Sequence, residues 1–95
     1  MEITTLEALA DLLKITKSEL LKLRKLFLCY KNLTKLPEDI GKLVNLEYLY
    51  LSDNQLTKLP DSIGNLKNLK SLDLGYNQLS ELPDSILNLE ELISL

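Results

Sequence analysis

Few side chains in this sequence of 95 residues have the types that enzymes use for chemistry. It contains one cysteine, Cys29, and no histidine, so a nucleophile lacks its usual base and a zinc ion lacks a common ligand. Asp53 and Asp73 are the remaining candidates for acid–base catalysis. The three glycines form no phosphate-binding loop. We therefore predict that the protein is not an enzyme, that it uses no metal or cofactor, and that Cys29 is a small residue on a sheet surface.

Leucines recur at a constant interval of twenty-three residues, and this repeat organises the chain. One column holds Leu23, Leu46, Leu69 and Leu92. The other columns in the same register are Leu26, Leu49, Leu72 and Leu95; Leu28, Leu51 and Leu74; Leu33, Leu56 and Leu79; Leu36, Leu59 and Leu82; Pro37, Pro60 and Pro83; Ile40, Ile63 and Ile86; and Leu43, Leu66 and Leu89. One coil of this length cannot bury its leucines alone, so the pattern predicts stacked coils that share a core.

Within each repeat, two leucines separated by one residue predict a short strand. Side chains alternate along a strand, so both leucines face the core and the residue between them faces out. Coils stacked at the strand spacing of roughly 4.8 Å then form a parallel sheet.

The stretches LEYLYLSDNQL from Leu46 and LKSLDLGYNQL from Leu69 match the pattern L-x-x-L-x-L-x-x-N-x-L residue by residue. The chain from Leu23 to Leu95 thus resembles the leucine-rich repeat family. The added LPDSIGNLKNL is similar to the bacterial and Ras-group subclass, in which a short helical turn replaces a full helix. The resemblance implies an α/β fold, a right-handed horseshoe solenoid with a short parallel sheet on its concave side. It also implies a partner bound on that side.

The resemblance assigns a structural role to Asn54 and Asn77, which turn inward and satisfy backbone groups left unpaired by the bend. Lys31 occupies this column in the first repeat, and Asn32 comes one place later. The first coil therefore either lacks the contact or slips locally to provide it.

A second expectation concerns the helical turn of each repeat. The repeated proline imposes an extended approach, since the residue before a proline avoids the helical region. Gly41 and Gly64 then suit the end of the turn, where a positive φ favours glycine. Leu87 occupies the glycine column in the third repeat, which predicts that the third turn ends differently.

Residues 1–24 precede the repeats and predict a helical pair that caps the first coil. Two capping boxes of the form T-x-x-E are present, Thr4 with Glu7 and Thr16 with Glu19. The start of the chain has no signal-peptide pattern, and no apolar run reaches the roughly 20 residues that span a bilayer. We therefore expect a soluble, cytoplasmic protein that does not contact a membrane.

The segment LEALADLLKITKSELLKL also resembles the helical pairs of bacterial helix-turn-helix domains and the segment before some bacterial reverse transcriptases. A recognition helix there would present Lys17, Lys22, Arg24 and Lys25 to DNA. Its apolar face must however cover the solenoid, and the formal net charge is -3, which does not suit phosphate binding. We do not expect nucleic acid to be the partner.

Residues 25–95 hold three repeats and an incomplete fourth, which stops at Leu95. No cap follows the last coil, so the end of the array would expose leucine core and an unpaired strand edge. Three explanations of this exposed end compete. The last coil frays, the chain is a fragment, or two molecules bury these ends against each other. We favour a homodimer slightly among the three.

The outward strand positions contain all five aromatic residues of the chain. A purely structural interpretation is available, because aromatic residues suit strands and stabilise neighbouring strands, and Phe27 could lie under the cap. We favour a binding role, since tyrosines provide large, rigid contact area with a polar tip. Acidic residues among them suit a basic or amphipathic protein segment. The predicted partner-binding residues are Phe27, Tyr30, Tyr48, Tyr50, Asp53, Asp73 and Tyr76.

Overall fold

The computed structural model describes residues 2–92, in which two helices are followed by three coils of the repeat. Each coil contributes one short strand and one 3-10 helix; the strands contact one another, and so do the 3-10 helices. In chain order the elements are α1 (Leu6–Leu13), α2 (Lys17–Leu21), β1 (Lys25–Phe27), a 3-10 helix (Glu38–Lys42), β2 (Tyr48–Tyr50), a 3-10 helix (Asp61–Asn65), β3 (Ser71–Asp73) and a 3-10 helix (Asp84–Asn88).

Helix α1 begins one residue later than the sequence pattern indicated. Its N-cap is Thr5, whose side-chain oxygen accepts a hydrogen bond from the Ala8 amide at 3.0 Å. The predicted capping box between Thr4 and Glu7 is therefore wrong. Adjacent threonines offer two candidate caps, and the extended backbone of Thr5 decides between them.

Helix α2 begins with the capping box that the sequence predicted. The Glu19 amide donates to the Thr16 hydroxyl at 3.0 Å, and the Thr16 amide donates to the Glu19 carboxylate at 2.9 Å. The hydrogen bonds with Thr16 hold the pKa of the Glu19 carboxyl below its usual value. Between the helices, Lys14 adopts a left-handed conformation with a φ of 59°. This residue ends α1 and lets the chain turn into α2.

The sheet confirms the twenty-three-residue register. Its strands are parallel in the order β1, β2, β3, and Leu26 is paired with Leu49, which is paired with Leu72. The backbone ladder continues past the strand ends, where the Leu28 amide donates to the Tyr50 carbonyl at 2.9 Å. Equivalent residues of successive repeats therefore lie side by side.

The helices and the coils share one buried cluster. Leu6, Leu9 and Leu20 of the helices are fully buried and belong to the same cluster as the strand leucine Leu26. The helices therefore cover the first coil, although the boundary at residue 24 stays a prediction. None of the helices in residues 2–92 is long and apolar enough to cross a membrane.

Asn54 connects the first two coils through one buried side chain. Its Oδ1 accepts hydrogen bonds from the amides of Lys31 and Leu33, both at 3.0 Å. Its Nδ2 donates to the carbonyls of Leu28 at 2.8 Å and of its own coil's Leu51 at 3.0 Å. The predicted inward role of Asn54 is confirmed. Its hydrogen bonds to Leu28, Lys31 and Leu33 join it to the preceding coil.

Asn77 repeats this arrangement one coil later. Its Oδ1 accepts from the Leu56 amide at 3.0 Å, and its Nδ2 donates to the carbonyls of Leu51 at 2.9 Å and Leu74 at 3.2 Å. Because each asparagine serves the coil before it, Lys31 in this column does not leave the first bend unsatisfied. The first coil receives the contact from the second.

The glycine column has a different role from the predicted one. Gly41 and Gly64 lie inside their 3-10 helices, and neither has a positive φ. A Cβ built on Gly64 would lie 2.6 Å from both the Cβ and the carbonyl oxygen of Ser85 in the next coil. The glycines thus allow close approach between coils. The third 3-10 helix spans five residues like the second, although it carries Leu87, so the expectation that it ends differently is wrong.

Serine hydroxyls fix the spacing at this close approach. The Ser62 hydroxyl donates to the Glu38 carbonyl of the preceding coil, and the Ser85 hydroxyl donates to the Asp61 carbonyl, both at 2.6 Å. A coil held at this distance has no room for a methyl group at the facing glycine.

We expect Gly64→Ala to destabilise the protein by about 1–3 kcal/mol, because the new methyl group overlaps Ser85 and separates the second and third coils. Gly75→Ala is the matched control, since its nearest neighbouring atom would be 3.5 Å away. The control should be neutral or slightly stabilising, because alanine also restricts the unfolded chain. Thermal unfolding followed by circular dichroism measures both, and equal midpoints would show that the coils do not meet at Gly64.

Candidate functional site

The outward side chains of the three strands form one continuous surface, which we call the concave face. In register across the sheet, Lys25 is beside Tyr48, which is beside Ser71, and Phe27 is beside Tyr50, which is beside Asp73. The residues that follow each strand extend this surface. The strand residues of the concave face are Lys25, Phe27, Tyr48, Tyr50, Ser71 and Asp73.

Three aromatic rings stack across the middle of the concave face. The ring centroids of Phe27 and Tyr50 are 4.8 Å apart with planes 8° from parallel, and those of Tyr48 and Tyr50 are 6.5 Å apart at 6°. The Lys25 ammonium lies 5.4 Å from the centroid of Tyr48. Phe27 is 61% exposed, so the helices do not cover it. The stack therefore faces solvent with a cation at one end.

The residue at the bend after each strand has a positive φ. The values are 56° at Tyr30, 59° at Asp53 and 55° at Tyr76, and we call these three residues the left-handed row. This conformation brings Cβ close to the following carbonyl and costs roughly 1–2 kcal/mol for a residue other than glycine. Tyr30 is 78% exposed and Tyr76 is 85% exposed. Two exposed tyrosines thus occupy positions that glycine or asparagine would fill with less strain.

Within the left-handed row, Tyr30 and Asp53 interact directly. The negative charge of Asp53 raises the pKa of the Tyr30 phenol above its usual value, and the hydrogen bond between the two side chains raises it further. No lysine or arginine side chain in residues 2–92 lies within 4.0 Å of the Asp53 carboxylate. This half-buried acid therefore has a phenol as its neighbour and no cation of its own.

The two acids considered as candidates for acid–base catalysis have separate structural partners. One oxygen of Asp73 accepts a hydrogen bond from the Gly75 amide at 3.1 Å, whereas Asp53 interacts with Tyr30. Cys29 is half-buried and accepts a hydrogen bond from the Ser52 hydroxyl at 3.2 Å. These contacts give Cys29 and Asp73 structural neighbours on the sheet surface.

A charged row crosses the amino ends of the strands. Glu47 forms ion pairs with Arg24 at 3.0 Å and with Lys70 at 3.5 Å, one in each neighbouring coil. Burial raises the pKa of the Glu47 carboxyl, but the hydrogen bond and charge of Arg24, with the charge of Lys70, outweigh it and hold the pKa below its usual value. These ion pairs join adjacent coils and leave the row with one net positive charge.

The residues that a DNA-binding helix would present have other contacts. Helix α2 has only five residues, Lys17 pairs with Glu7 at 3.5 Å, and Arg24 pairs with Glu47. These ion pairs reduce the positive charge available to a phosphate backbone. The preference against nucleic acid stays a prediction.

Comparison with known proteins identifies the repeat. Residues 39–95 match the family model for the leucine-rich repeat region. The chain belongs to the leucine-rich repeat family. A solved structure of a leucine-rich repeat protein from Leptospira interrogans is 46% identical, with a TM-score of 0.76 over 77% of this chain. The chain spans 19% of the length of that protein. No curated protein matches the chain, and the narrower subclass stays a prediction.

The structure brings the seven predicted site residues onto one surface, while their role in binding stays a prediction. Sequence columns located Phe27, Tyr48 and Tyr50 on the strands and put Tyr30 and Tyr76 at the bends. They did not reveal the left-handed backbone, because neither glycine nor asparagine marks it at these positions. The charged row was also missed, although its members are twenty-three residues apart.

We expect Asp53→Asn to lower the pKa of the Tyr30 phenol towards the usual tyrosine value, because the variant removes the negative charge that raises it most. Nuclear magnetic resonance of the tyrosine ring carbons across alkaline pH follows each phenol separately. Asp73→Asn is the control, and it should leave the pKa of Tyr30 unchanged. An ordinary pKa for Tyr30 in the unaltered protein would contradict the contact.

Proposed function

We propose that this leucine-rich repeat protein is a non-catalytic binding module whose concave face receives another protein or a peptide. The observation that carries the proposal is the position of all five aromatic residues on the outward side of the strands or at the bends that follow them. Phe27, Tyr30 and Tyr76 are exposed there. Aromatic residues are enriched at the energetic centres of protein interfaces. Leucine-rich repeat proteins typically serve as interaction modules, which supports this function for the whole fold.

The available area supports a specific interface. One aromatic side chain can bury roughly 150–250 Å², so five supply at most about 750–1,250 Å². A standard interface uses roughly 800 Å² on each partner. Because Tyr48 and Tyr50 are already half-buried by stacking, most of the new contact would come from Phe27, Tyr30 and Tyr76.

The charges on the face favour a basic or amphipathic segment. Asp73 is exposed and Asp53 has no cation in residues 2–92. Lys25 at the other end lies against Tyr48 and suits an acidic group. Complementary charges of this kind improve the rate and specificity of association more than its affinity.

Sheet stabilisation alone would also account for part of the aromatic stack. Two stacked pairs contribute roughly 0.5–1.5 kcal/mol each beyond their burial. This explanation covers Phe27, Tyr48 and Tyr50, but it does not cover Tyr30 and Tyr76, which are exposed and lie in strained backbone. The binding interpretation accounts for both groups.

Replacement of Tyr48 and Tyr50 together by alanine should reduce capture of the partner at least about tenfold, because it removes two central rings, including the ring on which Phe27 is stacked. Affinity capture on the immobilised protein, followed by mass spectrometry, measures this loss. Val44→Ala is the matched control, since Val44 is an exposed apolar residue outside the strands.

Both variants are also melted by circular dichroism, because loss of stacking lowers stability modestly. The proposal requires that the double variant remains folded at the capture temperature while binding is lost. Full capture by the folded double variant would rule out the aromatic stack as the binding site.

A second candidate function is self-association through the open side of the third coil. Leu56, Leu59 and Ile63 are buried in the second coil, whereas the equivalent Leu79, Leu82 and Ile86 are half-buried. Leu87 beside them is 84% exposed. Ser94 and Leu95 of the predicted fourth strand lie outside the described residues. An apolar surface of this kind favours association of two copies.

Sedimentation velocity over a range of concentrations tests the dimer. We expect the mass to rise towards that of two chains at high micromolar concentration and Leu87→Glu to return it to one chain, because the carboxylate would be buried in the interface. Val44→Glu places the same charge at another exposed apolar site and should leave the dimer intact. A single-chain mass for the unaltered protein at every concentration would exclude this function.

A further inference from the structure

The left-handed row of Tyr30, Asp53 and Tyr76 combines three properties, and the bend of the backbone explains only the last of them. Its tyrosines are the two most exposed aromatic residues of the chain. Its carboxylate lies between them in coil order and has no cation in residues 2–92. All three residues adopt a positive φ. The row is thus an acid with an aromatic side chain on either side.

The spacing of the row fits one cation. Neighbouring strands lie roughly 4.7–4.9 Å apart, and the backbone ladder joins Tyr30 to Ser52 and Asp53 to Gly75 beside the row. The tyrosine backbones are therefore roughly 9–10 Å apart. A cation midway would lie roughly 5 Å from each backbone, so a ring turned towards it can come within the ~6 Å at which a cation attracts an aromatic face.

We propose that Tyr30, Asp53 and Tyr76 bind a single arginine side chain of the partner, with its guanidinium between the two phenol rings and against the carboxylate. This inference rests on the proposed function and gives the partner a defined chemical feature. The occupant is an extended protein segment that carries the arginine, because the row lies along the edge of the concave face.

The chemistry favours arginine over lysine. A guanidinium is planar and stacks on aromatic rings, and its donors can bond to a carboxylate in the same plane. An ammonium is more strongly hydrated and lacks the flat face that two rings require. A carboxylate has two acceptor oxygens, so Asp53 can accept from a guanidinium as well as from Tyr30.

Because the backbone is strained at Tyr30 and Tyr76, replacing these tyrosines should weaken binding and increase stability. Asparagine adopts the left-handed region more readily than tyrosine does. Replacing Tyr30 and Tyr76 by asparagine should therefore raise the melting temperature while it removes both rings of the site. A structural role for these tyrosines predicts the reverse, because the loss of a stabilising side chain lowers the melting temperature.

The test is a nuclear magnetic resonance titration of the isotope-labelled protein with the blocked tripeptide acetyl-Gly-Arg-Gly-amide, up to about 10 mM. The amide signals of Tyr30, Asp53 and Tyr76 should shift together. The same peptide with citrulline in place of arginine, which keeps the shape and removes the charge, should shift them little. The lysine peptide should bind more weakly than the arginine peptide.

Matched variants locate the site. Asp53→Asn should weaken binding about fivefold, and each tyrosine replaced by asparagine should weaken it roughly two- to fivefold. Asp73→Asn removes the same charge from the same face and should change the affinity by less than about twofold. The double tyrosine variant should also melt at a higher temperature than the unaltered protein.

Any of three binding results would overturn the inference: no shift of the row by the arginine peptide, equal binding of the citrulline peptide, or equal effects of Asp53→Asn and Asp73→Asn. A double tyrosine variant with a lower melting temperature would assign these residues to stability and would also overturn it. Each of these results leaves the proposed function standing if the Tyr48 and Tyr50 variant still loses its captured partner. A different result would contradict the proposed function, namely full capture of the partner by the Tyr48 and Tyr50 variant.

Discussion

The bend after each strand depends on the hydrogen bonds of one inward side chain. Each strand is three residues long, and the backbone then leaves the sheet while several of its polar groups stay away from water. Asn54 pairs two amides and two carbonyls of adjacent coils at 2.8–3.0 Å. An unpaired buried group costs about 1–3 kcal/mol, so the loss of four partners exceeds the ~1.5–3 kcal/mol gained by burying one leucine. Stacking of leucines supplies most of the favourable energy, and the asparagine sets the geometry in which they stack.

This constraint also determines where the exposed aromatic residues lie. The residue before Asn54 is Asp53, and the residue before Asn77 is Tyr76. A left-handed conformation at that position reverses the chain locally, so that the asparagine turns inward and its predecessor points out. Tyr30 has the same conformation before Lys31, although the first coil borrows its amide contacts from Asn54. The structural bend and the candidate binding row therefore come from one pair of adjacent positions.

The register of the coils and the buried columns follow from the sequence, because a strict interval allows only one way to superimpose the repeats. Contacts between coils were harder to predict. Gly41 and Gly64 were assigned to a positive φ, which is the commonest reason for a glycine after a helical turn, whereas the facing serines of the next coil exclude a Cβ there. The choice of Thr5 over Thr4 depends on backbone conformation at a single residue. Both errors concern local geometry that a hydrophobic period does not encode.

The division of roles between the two faces of the strand explains why the candidate site can vary while the fold does not. Inward positions repeat the same leucines in each coil, since each one packs against its equivalents above and below. Outward positions have no such restriction, and here they change from lysine through tyrosine to serine along one row of the sheet. A tyrosine in left-handed backbone is a disagreement between local preference and global fold, and such disagreements concentrate at functional sites. In this chain they occur beside the aromatic stack and around an acid without a cation in residues 2–92, which makes the bend of the solenoid a part of the proposed binding surface.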